Sequence, residues 1–295
     1  MIRCQAFAAI ESTLLTAKRA VTDSQIKDII KQARSALTDK AFPVARAASS
    51  LLASLFPFSD SNKPLADVEQ VVSICIRQLD AADQPTRSSL SKLVAHVLAS
   101  TQIEHVIQVA EPPKQAKKGG LAREGQEEDD DEAPAHAVVQ EVKKLMSPQD
   151  MLAQLSAHFN KPTVSRRTRI GIFDCYVALL TELGSSFVES SYALIVAHFM
   201  NDIVSNIRNT ASRYEVLFVR TLVCTLLRDL VGVRMLGEQA QISAIQELSS
   251  SFLKRWPALM PGQNAPNPLV LTIALREVAG LLKQLGNAPI VVQVR

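Results

Sequence analysis

The chain has 295 residues, 47% of them apolar, yet only 5% are aromatic and 10 are glycine, and the formal net charge is +3. That composition suits helices packed on helices and lacks the aromatic and turn residues that sheets favour. The small net charge gives no electrostatic footprint for nucleic acid.

The chain opens on a run with Ile2, Ala6 and Ile10 on one helical face. A helix follows from Ser24 to Leu37, with Ile26, Ile29, Ile30, Ala33 and Leu37 at helical spacing and Asp23 as its expected N-cap. After a short link, Pro43 suits a first helical turn. Val44, Ala48, Leu51, Leu52 and Leu55 then make a second stripe that Pro57 stops. A shift of 42 residues carries Ile26, Ile29, Ile30, Ala33 and Leu37 onto Val68, Val71, Val72, Cys75 and Leu79. The same shift carries Pro43 onto Pro85, and the second stripe onto Thr86, Leu90, Leu93, Val94 and Val97. The reverse shift places Val44 on Ile2, Ala48 on Ala6 and Leu52 on Ile10, so the opening run reads as the second helix of a repeat. Its missing first helix suggests a piece of a longer array, because such arrays normally end in polar-faced caps. A two-helix unit of this period falls in the HEAT/armadillo range. Asp39 and Asp80 close first helices, and Val44-Ala45-Arg46 and Thr86-Arg87 open second ones, although Arg46 and Arg87 differ by one place in the register.

A weakly helical stretch is expected to run to Val109. Glu111 to Pro134 then has almost no apolar residue, and Lys114, Lys117 and Lys118 precede the acidic run from Glu127 to Glu132. Such a segment cannot bury enough surface to offset its ordering entropy, so it reads as a disordered linker, a solvated loop or a docking tail for a basic partner. Deleting residues 112–134 is expected to leave the thermal midpoint nearly unchanged.

Helical order is expected again from about Ala137, and Ser147-Pro148 marks a clean helix start. Met151, Leu152, Leu155 and Phe159 stripe a first helix; Ile172, Cys175 and Leu179 stripe a second that begins near Arg167. Two looser pairs follow, at roughly 186–204 with 212–231 and roughly 237–255 with 268–285, the last joined by a loop holding Pro257, Pro261 and Pro266. The expectation is an all-α, α-α superhelix of HEAT/armadillo type, about five hairpins plus an opening half repeat. Its parts are a first block (1–110), a disordered acidic linker (111–136) and a second block (137–295).

Little here resembles an active site. Cys4, Cys75, Cys175 and Cys224 have no metal-ligand or redox spacing and read as buried small apolar residues of a reducing compartment. The histidines, His96, His105, His136, His158 and His198, have no second ligand at metal spacing, and Lys117-Lys118-Gly119-Gly120 is only superficially a phosphate loop. No catalytic, cofactor or metal residue, no cofactor and no small-molecule substrate is therefore expected. The apolar run Tyr192 to Met200 is far short of the roughly 20 residues that span a bilayer, and Glu11 interrupts any signal-peptide core. The chain thus reads as soluble and cytosolic. One basic cluster stands out: Lys161, Arg166, Arg167 and Arg169 crowd the link into a second helix. They read either as a solvated link with Arg169 paired to a neighbouring repeat, or as a patch for an acidic peptide or phosphoinositide head groups. Nucleic acid is not expected there, because no aromatic residues interleave for stacking.

The segments RCQAFAAIESTLL, ARSALTDKAFPVARAASSLL and RQLDAADQPTRSSLSKLVAHVLA resemble consecutive repeats near the start of the HEAT-repeat-containing protein 5 family. SRRTRIGIFDCYVALLTELGSSFVESSYALIVAHFMNDIVSN, GEQAQISAIQEL and LREVAGLLKQLG are similar to that family's next stretches, in the same order. The resemblance implies a non-catalytic scaffold, accessory to the AP-1 clathrin adaptor in vesicle traffic between the trans-Golgi network and endosomes. It would be cytoplasmic, with peripheral attachment to Golgi and endosomal membranes and clathrin-coated vesicles. It carries no catalytic residues. The acidic insert and the proline-rich loop depart from the family pattern, and a HEAT scaffold of another pathway, a nuclear transport receptor or phosphatase subunit, stays open.

Overall fold

Apolar residues at helical spacing, bounded by polar caps and first-turn prolines, organise the fold. A computed structural model describes residues 2–16, 22–56, 64–110, 138–253 and 267–286. The helices are α1 (Ile2–Thr16), α2 (Asp23–Ala36), α3 (Phe42–Leu55), α4 (Pro64–Gln78), α5 (Gln84–Ser100), α6 (Pro148–Phe159) and α7 (Arg166–Ser190). There follow α8 (Tyr192–His198), α9 (Ile207–Thr210), α10 (Arg213–Cys224), α11 (Glu238–Leu248) and α12 (Pro268–Leu285). π-helical turns Phe199–Val204, Thr225–Met235 and Ser249–Leu253 continue α8, α10 and α11. The described residues are all-α apart from one ribbon of β1 (Glu104–Ala110) and β2 (Val138–Lys144). The expected linker (111–136), and most of the proline-rich loop, lie outside the described residues.

Local chemistry explains where the helices start. Side chains of Asp83, Ser147, Ser165, Ser212 and Asn267 accept the backbone N–H of Thr86, Asp150, Thr168, Glu215 and Leu269 at 2.9–3.2 Å, which satisfies donors that a helix leaves orphaned. Prolines occupy the first turn of α3, α5, α6 and α12. The cap of α2 is Thr22, not Asp23: the Gln25 side chain reaches back to the Thr22 N–H at 3.1 Å, which places Asp23 inside the helix. Gly286, at φ 59°, ends α12 in the left-handed conformation that glycine adopts without strain. Gly184, at φ 80° and ψ 171°, breaks the helical path inside α7, so the helices read from sequence on either side of residue 184 meet at a kink.

The stripes read from sequence face one another. Ala33, Leu37, Ala48, Leu51 and Leu52 are buried, as are their counterparts Cys75, Leu79, Leu90, Leu93 and Val94. Met151, Leu152, Leu155, Phe159, Ile172, Cys175 and Leu179 are buried further along, in one continuous apolar core reaching from Ile30 to Leu281. Each fully buried Leu contributes about 1.5–3 kcal/mol. Within pairs, α2 packs on α3, α4 on α5, α6 on α7 and α11 on α12. Between pairs, the second helices follow one another: α1 against α3, α3 against α5, α5 against α7, α7 against the π-helical end of α10, and that end against α12.

α7 is long and apolar enough, by length and composition alone, to cross a membrane; here its apolar face is spent on packing against α4, α5 and α6. At Gly171 the approach is close: a Cβ there would stand 3.0 Å from Leu79 Cδ1 and 3.1 Å from Leu79 Cβ. Gly171→Val is expected to destabilise the protein by about 1–3 kcal/mol through overpacking, read as a lower urea midpoint.

The segments bordering the insert do not form the helices expected up to Val109 and from Ala137. They pair as antiparallel strands, with Val106 opposite Val142 and Ala110 opposite Val138. Their β-branched content, Val106, Ile107 and Val109 in one segment and Val138, Val139 and Val142 in the other, favours the extended chain over the helix. The ribbon's base is fastened to the end of α5: the Leu145 N–H donates to the Thr101 carbonyl at 3.1 Å, and Gln102 Nε2 to the Met146 carbonyl at 3.1 Å.

Candidate functional site

Arginines on second helices reach toward the following pair. Arg3 of α1 pairs with Asp39, Arg46 of α3 with Asp83 at 3.2 Å, and Arg87 of α5 with Asp174 of α7 at 3.5 Å. Asp83 also caps α5, and its hydrogen bonds to Thr86, with the Arg46 charge, hold its carboxyl below the usual range. The one-place offset between Arg46 and Arg87 changes the acceptor without breaking the series.

The basic cluster sits on the next rung, and the structure divides its four members. Arg169 is 1% exposed. Its guanidinium donates to Glu215 Oε2 at 2.5 Å and Asn209 Oδ1 at 2.6 Å, and lies over the Phe159 ring at 4.2 Å and the Phe218 ring at 4.9 Å. It therefore belongs to the interior and is withdrawn from any patch offered to an acidic peptide or phosphoinositide. Hydrogen bonding and charge from Arg169 in turn hold the Glu215 carboxyl below its ordinary value. Arg167 is exposed, but one edge donates to the Ala82 carbonyl at 2.7 Å, which ties α7 to the preceding link. Arg166 is half exposed, 3.6 Å from Glu215 and 4.9 Å from the Phe218 ring centre. Lys161 is exposed, its Nζ 3.2 Å from His158 Nδ1.

A fifth cation, missed in sequence, organises the link. Arg208 donates to the carbonyls of Lys161, Val164 (3.0 Å) and Phe159 (3.4 Å). Buried Asn209 donates to Asn160 at 3.1 Å and to the Ile203 carbonyl at 2.6 Å. Together they clasp residues 160–166 against residues 206–214. Long polar side chains that bond backbone across a link have no sequence pattern, because their acceptors are carbonyls common to every residue.

Other titratable groups are packed away from solvent. His198 Nδ1 donates to Asp202 at 2.8 Å, leaving Nε2 to face the Tyr176 hydroxyl at 2.8 Å. Burial lowers the His198 pKa, against the opposing pull of Asp202, and Phe173 and Phe199 enclose the pair. This network braces α7 against α8. His96 meets Glu182 at 2.6 Å across α5 and α7; the side chains of His105 and His136 lie outside the described residues. Cys75 and Cys175 are buried, and burial raises both thiols, whereas Cys4 and Cys224 are half-buried; all four are free thiols. Among the described residues no group of three or more His, Cys, Asp and Glu side chains is placed to hold a metal. A cleft between α5 and α7 has Val177 and Ala178 in its lining and Lys92, Asp174 and Glu182 as its charged groups.

Glu277 is the outlier. It is 2% exposed between α12 and the π-helical end of α10, and its Oε1 has no hydrogen-bond partner. Burial raises its carboxyl to about 8, with Arg228 opposing and Asp229 adding to the rise. Gly232 makes room for it, since a Cβ there would stand 3.1 Å from Oε1. No protein-family model matches the chain, and no solved structure matches it.

Proposed function

We propose that the chain is a non-catalytic protein-binding scaffold, a HEAT-type superhelix of stacked hairpins. The supporting observation is the rung repeated from pair to pair, Arg46 to Asp83, Arg87 to Asp174 and Arg169 to Glu215. Such rungs, together with second helices that pack in series over one core, support that reading, because in a quasi-one-dimensional array each repeat contacts its neighbours. The family resemblance of the segments gives the pathway: docking of AP-1 adaptor subunits or their co-factors in clathrin-mediated traffic between the trans-Golgi network and endosomes, on the cytoplasmic side. Affinity purification of the tagged chain from cell extract tests this. Enrichment of adaptor and clathrin subunits is the expected result. Recovery of Ran or phosphatase subunits in their place would transfer the scaffold to another pathway.

A further inference from the structure

The clasped links at residues 160–166 and 206–214 carry two large apolar side chains into solvent. Ile207 is 84% exposed and Tyr214 78% exposed, while Leu217, one turn along, is half exposed. Exposed apolar residues are common singly. These stand beside cations: Lys161 and Arg213 are exposed, and Arg166, half exposed, lies 3.5 Å from the Tyr214 carbonyl. Of the nearby carboxylates, Glu215 is paired with Arg169 and Arg166, and Asp202, hydrogen-bonded to His198, keeps one negative charge against these cations. Lys161 and Arg213 make no ion pair with a described residue, so the face is net positive. Arg208 and Asn209 hold the two links together, so the apolar tips and the cations are presented on one braced edge.

We propose that this edge docks on an anionic lipid bilayer, with Ile207 and Tyr214 entering the interface and Lys161, Arg166 and Arg213 meeting lipid head groups. An aliphatic side chain gains by entering the acyl boundary, and tyrosine favours the headgroup level because its ring is apolar and its hydroxyl polar. Cations near a negative membrane surface add attraction that falls off within a Debye length. Charge complementarity alone would suit an acidic peptide equally. The two protruding apolar tips favour the bilayer, since they add nothing to the binding of a highly charged peptide. The inference goes beyond the scaffold reading and can fail without it: loss of vesicle binding with adaptor subunits still recovered would sink only this proposal.

The test is co-sedimentation of the full chain with phosphatidylcholine vesicles, with and without 30 mol% phosphatidylserine, a probe composition set at roughly the anionic content that gives a strong surface potential. The wild-type chain is expected to sediment with the anionic vesicles only, and less as salt rises. I207S/Y214S, which alters only exposed side chains, is expected to weaken binding roughly tenfold. K161E/R213E should weaken it at least as much, with thermal midpoints unchanged in both variants. Equal binding by I207S/Y214S and the wild type, no binding by the wild type, or preference for a phosphorylated acidic peptide that ignores Ile207 and Tyr214 would each overturn the proposal.

Discussion

Arg169→Ala is expected to cost about 3 kcal/mol of folding stability, a large share of the 5–15 kcal/mol typical of a domain. The guanidinium is buried between two aromatic rings and supplies hydrogen bonds to Glu215 and Asn209. Its removal leaves a fully buried amide oxygen without its donor and a carboxylate, one-quarter exposed, facing a cavity. Because Glu215 keeps some access to water and to Arg166, the loss falls at the lower end of the range for broken buried pairs. Arg169→Lys should recover only part of it, since an ammonium cannot satisfy both acceptors with a planar fork. Arg166→Ala should shift stability by less than about 1 kcal/mol, as exposed pairs do. Urea unfolding of the three variants separates them. Similar losses for Arg166→Ala and Arg169→Ala would show that the assignment of interior and surface roles is wrong. The pH response follows from Glu215, whose folded pKa is depressed by Arg169. Its contribution is present above the ordinary carboxylate range and lost as pH falls through the folded value, so Arg169→Ala should flatten that acid-side loss.

The second large effect concerns Glu277 and has the opposite pH sense. Its folded carboxyl titrates near 8, against an ordinary value of 4.5, so between those limits the native state holds a proton that the unfolded chain has released. Stability from this group is therefore complete below pH 4.5 and is lost as pH rises toward 8. At about 1.4 kcal/mol per pH unit of differential protonation, the interval from 4.5 to neutrality costs about 3 kcal/mol or slightly more. Glu277→Gln keeps the shape and removes the titration. It is expected to raise stability at pH 7 by about that amount, and to leave the wild type and variant closest below pH 4.5. Tyr192, whose buried hydroxyl also has no hydrogen-bond partner, stays protonated from pH 5 to 8 in both proteins, because burial raises its pKa above the ordinary value. A wild-type minus variant difference that is flat from pH 5 to 8 would refute the buried-proton account.

Most helices were legible because burial of one face imposes a period on the sequence, and a cap residue bounds each run. Met151, Leu152, Leu155 and Phe159 announce α6 in this way and are all buried. The ribbon was not legible by the same test. Val106, Ile107 and Val109 form a short β-branched run that a helical template also accepts, and the strand that stabilises it lies beyond the insert, outside any local window. The π-helical turns ending α8, α10 and α11 left no pattern in the sequence that we can identify. The basic cluster was legible as a cluster but not in its roles, although a signal was present: Arg169 stands three, four and seven residues before Ile172, Phe173 and Tyr176 on the buried stripe. Glu277 likewise sits in register with Ile273, Ala274 and Leu281. A charge in line with an apolar stripe has to find a partner or give up its charge. Arg169 found Glu215; Glu277 keeps its proton.

The ribbon has a geometric consequence for the packing on either side of it. Ala110 and Val138 are cross-strand neighbours, so the chain leaves and re-enters the described structure at nearly one point, while α5 and α7 pack on each other directly. Residues added or removed between the two strands leave the spacing and angle of those helices untouched. The helical stack and the segment carried on the ribbon can consequently change in sequence and length independently, each invisible to the other.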